Sequence, residues 1–416
     1  MENPEYLLDE DFKIDKAKRN KKLKKLKIII PIVVLIIIAL IIVIILLTLP
    51  KDSKEEEKES TFQILLKDSQ IHKPLSSNIT TEIIKLKNGL HAILISEKNI
   101  NISSINVETP YGSSLDIIGG FAHFAEHMAF RGGNKYRENS YVKGLNYLGL
   151  SNDAFTTMES TNFYLYTKTG DEYETFIDIL ADTFSNPALN PDVFKTEINN
   201  LHCEFLISNK TDDYILNNIL YTLVNEKHPL HNAFSIGNNI TLNSINTNDM
   251  EKYLKAYFQD VYHPKNLVVL LRANQDLKSL ENLIVKHFNY DIQVTETIGN
   301  KERDEIKKKL KEERLFNKDN GGKILKFYNK ISSYNLLVLS FGISNMEYKN
   351  GFNPIDFLGF LLNKTPNSSL HDYLISKGYI FLIYNKIYIQ FFERETGFIH
   401  IYVLLTENGL NFIEII

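Results

Sequence analysis

Residues 119–128 read GGFAHFAEHM, and this run constrains the fold around it more than any other part of the chain. His123 and His127 are four residues apart, so on a helix their imidazoles lie on one face and can share one metal ion. Glu126 follows His123 by three residues and points toward the same ion. The run therefore predicts a helix that carries two neutral nitrogen ligands and one carboxylate.

The carboxylate beside such an ion can act as a base instead of a ligand. Zinc raises the acidity of its bound water to near neutral pH, so Glu126 could take a proton from that water and yield a hydroxide able to attack an amide carbonyl. A catalytic zinc site has three protein ligands and one open position. We therefore expect a third ligand from another helix. The chain has a single cysteine, Cys203, which excludes an intrachain disulfide and a multi-thiolate metal site.

A second predicted helix, residues 192–207, offers candidates for that ligand. Glu197 and Glu204 lie two helical turns apart and share one face, with Leu201 between them. Two acids on an otherwise apolar face are costly to bury unless a cation compensates them, and a zinc ion would do so. The alternative is that both glutamates face solvent. Cys203 points about 100° away from Glu204 and is expected to be a small buried residue, not a ligand.

The composition is that of a packed globular protein without a nucleic-acid partner. Hydrophobic residues make up 44% of the chain and charged residues 24%, which argues against wholesale disorder. The net charge is −4, so no basic field favours nucleic acid. Predicted strands and helices do not alternate regularly. We therefore expect an α+β fold in which a mainly antiparallel sheet has helices packed on one face.

Hydrophobic periodicity and turn signals place the expected elements along the chain. Strands are expected as a hairpin within 82–98 around Asn88-Gly89, and at 102–107, 153–157, 162–167, 267–271, 323–328, 335–342 and 397–405. Helices are expected at 119–131, 138–148, 172–185, 192–207, 213–225, 248–257 and 277–288, then from 354 and, after a loop at 364–369, up to 378.

The N-terminal region indicates a membrane anchor. Residues 28–49 carry no charge over 22 positions, and a helix of that length spans roughly 33 Å, the thickness of a bilayer core. Nine Lys and Arg residues lie between Lys13 and Lys27, whereas acids predominate in 51–60. The positive-inside rule then predicts a single-pass protein with a cytoplasmic N-terminus and a lumenal or extracellular catalytic domain. The alternative, a buried core helix, rarely lacks every polar residue over such a length.

The charged run 301–314, with twelve charged residues in fourteen, indicates a solvated linker or a surface helix and thus a domain boundary. The expected organisation is a cytoplasmic basic tail at 1–27, a transmembrane signal anchor at 28–49, a stalk at 50–78, a catalytic domain at 79–298, a charged linker at 299–320 and a second, truncated domain at 321–416.

The stretch from His123 to Glu204 resembles the inverted-zincin metallopeptidases of the insulinase (pitrilysin) family, M16. In that family H-x-x-E-H is followed about 77 residues later by a glutamate ligand, with another glutamate seven residues before it. Glu204 stands 77 residues after His127 and seven after Glu197. The resemblance implies that His123, His127 and Glu204 are zinc ligands, that Glu126 is the general base, and that Glu197 is a catalytic-site carboxylate behind the ligands.

Residues 153–156 resemble the N-A-F-T edge strand of the same family, along which a peptide substrate pairs by strand addition. Asp153 stands where asparagine is usual, and an acid there could change which peptides are accepted. The resemblance thus implies Asp153, Ala154 and Phe155 as substrate-binding residues. The alternative is an ordinary core strand with Phe155 pointing inward.

Further segments extend the resemblance toward the insulysin branch, at 262–267, 357–359 and 369–378, whereas 228–237 is a distorted form of the family's H-P-F-x-x-F-x-x-G segment. The resemblance implies a zinc-dependent endopeptidase, with peptides as substrates and with a C-terminal M16 half or a partner subunit needed to complete the site. Together with the span expected at 28–49, it suggests a membrane-anchored peptidase. The alternatives are a non-catalytic binding or scaffold subunit of the same family, and a membrane-tethered adhesion protein.

Overall fold

The computed structural model describes residues 61–74, 76–137, 151–170, 172–231, 233–326, 335–344, 357, 361, 369–381, 387–392 and 396–415. Within it, Thr61–Ile416 forms one compact unit. The predicted tail and membrane span lie outside the described residues, as do the helix expected at 138–148 and most of the one expected from 354. No helix among the described residues is long and apolar enough to cross a membrane. The membrane span at 28–49 therefore stays a prediction.

Ten strands form two sheets in the described part of the chain. They are β1 (Phe62–Leu66), β2 (Thr80–Leu86), β3 (His91–Ser96), β4 (Ile102–Thr109), β5 (Ser151–Thr156), β6 (Thr161–Lys168), β7 (Val268–Ala273), β8 (Asn335–Ser344), β9 (Ile387–Phe392) and β10 (Thr396–Leu405). The larger sheet has the order β1-β2-β3-β7-β4-β6-β5, and the smaller has the order β8-β10-β9. Strand β5 is therefore an edge of the larger sheet.

The α-helices of the described residues are mostly short to medium in length. They are α1 (Phe121–Ala129), α2 (Tyr173–Ser185), α3 (Phe194–Ser208), α4 (Asp212–Leu223), α5 (Asn239–Leu242), α6 (Thr247–Asp260), α7 (Leu277–Phe288), α8 (Asn300–Glu312), α9 (Leu370–Ser376) and α10 (Glu407–Ile415).

The predicted α+β class is confirmed, with a mixed sheet. Strands β3 and β7 run parallel, whereas the other neighbouring pairs of the larger sheet are antiparallel. One face of this sheet is buried through alternating residues such as Ile84, Leu94, Val107, Phe163 and Leu271. Side chains of α1, α2, α3, α6 and α7 pack in the same core cluster. The helices thus cover one face, as expected from the sequence.

Two regions differ from the expected pattern. Strand β1 pairs with β2 inside the stretch predicted as a stalk, and its apolar side chains are largely exposed, so no burial pattern signalled it. The charged run forms helix α8, yet Leu310 on it is fully buried. Leu310 belongs to a hydrophobic cluster with Leu315 and with Phe398 of β10. One face of this helix is therefore packed against the fold, and the other face is exposed to solvent.

Candidate functional site

Helix α1 begins at a tightly constrained point. Gly120 has a φ of +86°, and a Cβ atom there would lie 2.1 Å from the Cα of Gly237. The side chain of Asp116 accepts hydrogen bonds from the amides of Gly120 at 3.1 Å and Ala122 at 2.9 Å, which satisfies the first N–H groups of the helix. A close approach that only glycine allows and a side-chain cap therefore fix the direction of α1 and of the side chains it carries.

The two histidines of α1 face each other, with ring centroids 4.8 Å apart. Nδ1 of His123 donates to the carbonyl oxygen of Ile236 at 2.9 Å, and Nδ1 of His127 donates to Oε2 of Glu197 at 3.0 Å. These acceptors assign the proton of each neutral ring to Nδ1, because neither a carbonyl nor a carboxylate can donate. Nε2 of each imidazole then carries a free lone pair.

Both lone pairs are directed at Glu204 on α3. Nε2 of His123 lies 3.5 Å from one carboxylate oxygen of Glu204, and Nε2 of His127 lies 3.5 Å from the other. Zinc bound tetrahedrally, with Zn–N of about 2.0–2.1 Å and Zn–O of about 2.0–2.2 Å, separates such atoms by about 3.4 Å. Two neutral imidazoles and one carboxylate also form a donor set of the kind found at catalytic zinc sites. The three residues fit a zinc ion in both spacing and chemistry.

Glu126 lies beside this trio but is held differently. Its side chain is buried, at 5% exposure, and Oε2 accepts a hydrogen bond of 2.6 Å from the hydroxyl of Thr156 on β5. Burial raises the pKa of Glu126 to about 7, and the Thr156 hydrogen bond opposes that rise. Ligand atoms of Glu126, His123 and His127 all lie within 4.8 Å of one another, so the carboxylate can reach whatever binds at the two rings.

Glu197 orients the His127 ring by accepting the hydrogen bond from its Nδ1. It is almost completely buried, and its second oxygen, Oε1, forms an ion pair with Nη2 of Arg131. The side-chain amide of Asn200 approaches both oxygens, at 3.3 and 3.4 Å. Sequence reasoning found Glu197 but missed Arg131, although Arg131 follows His127 by four residues, which is the spacing of neighbours on a helix face.

All the candidate residues except Phe155 line one cavity of about 510 Å³. Asp153 and Ala154 of β5 line one side of it, and Asn200 and Glu204 of α3 line the other. The structure thus brings residues from β5, α1 and α3 together, although they are widely separated in sequence.

The chain is similar in sequence and in fold to known proteins. Residues 92–235 match the sequence profile of the family described as insulinase, peptidase family M16. Over these residues the chain is similar to the M16 family. Human insulin-degrading enzyme is 29% identical over 341 residues, which cover 80% of this chain and 32% of that protein. The peroxisomal insulin-degrading enzyme-like 1 of Arabidopsis thaliana is 28% identical over 235 residues, 55% of this chain and 24% of that protein.

The fold is similar to that of pitrilysin, whose crystal structure aligns with a TM-score of 0.69 at 22% identity, over 86% of this chain and 37% of pitrilysin. At that identity the alignment supports the fold alone. The chain spans about a third or less of the length of the curated relatives just described.

The edge strand β5 presents its side chains differently from an ordinary core strand. Phe155 is 47% exposed, so the alternative in which it points inward is wrong. Ala154, on the opposite face of β5, is partly buried against the core. Asp153 is exposed, and its carboxylate accepts a hydrogen bond of 3.0 Å from the hydroxyl of Tyr164 on β6. The β5 edge that faces away from β6 has no neighbouring strand among the described residues.

Cys203 was also considered in the sequence, and the structure does not include it in the site. Cys203 is exposed, so its predicted burial was wrong. The buried face of α3 carries Phe194, Glu197, Ile198 and Leu201, and a residue two positions after Leu201 points to the opposite side. Within the described residues, the only group of three potential metal ligands is the one around His123.

Proposed function

We propose that this chain is a zinc-dependent endopeptidase, with His123, His127 and Glu204 as metal ligands and Glu126 as the general base. The observation that carries the proposal is the pair of 3.5 Å separations between Glu204 and the two Nε2 atoms. Each Nε2 atom lies close to a different oxygen of the Glu204 carboxylate, so this carboxylate stands beside both rings, which supports Glu204 as the third ligand.

The chemistry divides between the ion and the protein. A zinc ion bound there supplies Lewis acidity, which lowers the pKa of water and polarises a peptide carbonyl. Glu126 accepts a proton from the attacking water and later delivers it to the departing amine. Thr156 holds the Glu126 carboxylate in place for both transfers. The Ile236 carbonyl and Glu197 keep the two imidazoles in the tautomer that leaves Nε2 free.

The substrate in this proposal is an extended peptide that adds to the open edge of β5. Strand addition supplies backbone hydrogen bonds without regard to sequence. It would lay a peptide beside Asp153 and Ala154, which line the same cavity as Glu126. The residues assigned to substrate binding, Asp153, Ala154 and Phe155, are proposed on this ground.

A peptidase assay on matched variants of the full chain tests the function. Glu204→Gln should lose zinc and activity together, whereas Glu126→Gln should keep stoichiometric zinc and lose hydrolysis by at least a hundredfold. Glu226→Gln, an exposed glutamate outside the cavity, serves as the control and should match the wild type. Full zinc occupancy without any hydrolysis by the wild type, alone or with a C-terminal M16 half, would instead favour a non-catalytic binding subunit.

We further propose that full activity uses a second M16 half, and that residues 28–49 anchor the protein in a membrane. The short span of this chain relative to its relatives supports the first part. The oxyanion of the transition state needs hydrogen-bond donors in addition to the metal, which a second half could supply. Adding a C-terminal half in the assay should raise kcat/KM by orders of magnitude, and equal activity without it would refute this part.

A further inference from the structure

Helix α1 continues into a turn, residues 130–137, whose first side chains line the cavity. Arg131 in this turn places its guanidinium against Oε1 of Glu197. The other carboxylate oxygen of Glu197 receives the Nδ1 proton of His127. Arg131, Glu197 and His127 thus form a linear chain of contacts that ends at a proposed metal ligand.

The turn that carries Arg131 is rigidly attached to the fold. One oxygen of Asp182 on α2 accepts hydrogen bonds from the amides of Lys135 and Tyr136, each at 3.0 Å. A Cβ atom at Gly133 would lie 2.2 Å from the same oxygen, so the turn packs directly on Asp182. The Arg131 amide also donates to the carbonyl of Met128 at 3.1 Å, which continues α1. The backbone of Arg131 therefore has little freedom to move away from Glu197.

Glu197 needs such a partner. Its side chain is only 4% exposed, and a buried carboxylate is unstable unless a cation or several donors compensate its charge. The Asn200 amide approaches at 3.3–3.4 Å, which is long for a strong hydrogen bond. The guanidinium of Arg131 brings a full positive charge to the carboxylate, with Nη2 at Oε1, and a charged donor at that oxygen holds the carboxylate in one orientation.

We propose that Arg131 is a positioning residue for the metal site. It holds Glu197 so that Oε2 faces Nδ1 of His127, and Glu197 in turn holds the His127 imidazole with Nε2 directed at Glu204. This inference rests on the proposed zinc site. It makes a prediction opposite to simple electrostatics, since a guanidinium near a divalent cation repels it, whereas a positioning guanidinium strengthens its binding.

A double-mutant cycle on zinc affinity tests the inference in the full chain, with zinc Kd measured by competition with a chromophoric chelator. Loss of a group that supports a ligand through hydrogen bonds typically weakens metal binding 10–100-fold. We expect Arg131→Met to raise the zinc Kd about tenfold in the wild-type background. We expect less than a twofold change from the same substitution in the Glu197→Gln background, because Arg131 then has no carboxylate to hold.

Further variants separate positioning from folding. Arg131→Lys keeps the charge without the guanidinium and should recover most of the affinity that Arg131→Met loses. If Arg131→Met fails to fold, Arg131→Lys can be compared in the same two backgrounds. We then expect the zinc Kd to rise about threefold in the wild-type background and to stay unchanged in the Glu197→Gln background. Arg272→Met removes a similar Arg–Glu pair, 2.6 Å from Glu97 and outside the cavity, and should leave the zinc Kd unchanged.

Two results would overturn the inference. Equal losses in both Glu197 backgrounds would show that Arg131 acts independently of Glu197, and tighter zinc binding by Arg131→Met would show that repulsion is its main effect. A wild-type chain that binds no zinc would overturn the proposed function itself. If the wild type binds zinc and Arg131→Met leaves the zinc Kd unchanged, only the role of Arg131 is overturned.

Discussion

At the residue scale, His123, Glu126 and His127 each owe their orientation to an acceptor or donor outside α1. Sequence spacing predicted His123, Glu126 and His127 as neighbours, because four-residue and three-residue separations have only one arrangement on a helix. It could not find the Ile236 carbonyl that orients His123, since a backbone acceptor more than a hundred residues away leaves no pattern in residue types. Family resemblance, not periodicity, selected Glu204 as the ligand over Glu197, the other acid of α3.

The hydroxyl of Thr156 gives one prediction at this scale. Thr156→Val should lower kcat about tenfold, with unchanged zinc content, because it removes a hydrogen bond to a charged group worth about 1.4 kcal/mol or more. Thr157→Val is the matched control, since the Thr157 hydroxyl bonds only to the adjacent turn at Ser160 and Glu159. Steady-state kinetics and metal analysis of both variants provide the measurement. An unchanged kcat for Thr156→Val would mean that Glu126 needs no such support.

A buried histidine away from the site gives a second prediction. His228 is 2% exposed, its Nδ1 accepts from the Leu230 amide at 3.1 Å, and burial lowers its pKa to about 4. The unfolded chain, with an ordinary pKa near 6.5, binds the proton first as pH falls. The free energy of unfolding should therefore decline below about pH 6.5 and level off below about pH 4, with this residue accounting for about 3 kcal/mol at most.

His228→Asn isolates that contribution, because an asparagine oxygen can replace Nδ1 as the acceptor without titrating. Denaturant unfolding should show a weaker decline from pH 6.5 to pH 4.5 in this variant than in the wild type. His72→Asn, at an exposed position, should leave the decline intact. Parallel pH profiles of wild type and His228→Asn would contradict the assignment.

At the element scale, agreement with the sequence was best where one face of an element is buried. Helices α2, α3 and α7 and strands β4, β6 and β10 lie within a few residues of their predicted positions, because alternation or helical periodicity reflects burial on one side. Strands β1 and β9 were missed. In β1, four of five residues are exposed, so pairing with β2 instead of burial defines the strand, and pairing partners are not visible in a single sequence.

The start of α1 gives the prediction at this scale. Gly120→Ala should destabilise the protein by well over about 2 kcal/mol, since it combines the cost of a left-handed residue with an overlap against the backbone of Gly237. Gly322→Ala is a matched control, because Gly322 also has a positive φ, +70°, but nothing lies within 4 Å of its added Cβ. That variant should lose only about 1 kcal/mol. Comparable losses for both, measured by thermal or denaturant unfolding, would show that the Gly120–Gly237 contact is unimportant.

At the scale of the whole molecule, the predicted membrane span sets the orientation. If residues 28–49 anchor the chain with a cytoplasmic N-terminus, protease added to sealed microsomes should leave everything after Pro50 intact. The sequons at Asn209 and Asn239 should then be accessible to glycosylation, and both asparagines are exposed. Digestion of the folded domain without detergent would refute the orientation.

The central claim is that His123, His127 and Glu204 bind one zinc ion and that Glu126 does not. Anomalous diffraction at the zinc edge, from crystals of the zinc-loaded chain, tests it most directly. We expect one anomalous peak per chain, about 2.0–2.2 Å from Nε2 of both histidines and from the Glu204 carboxylate, and we expect it to be retained in Glu126→Gln crystals. A peak bound by Glu126 in place of Glu204, or the absence of any peak between the two imidazoles after zinc loading, would contradict it.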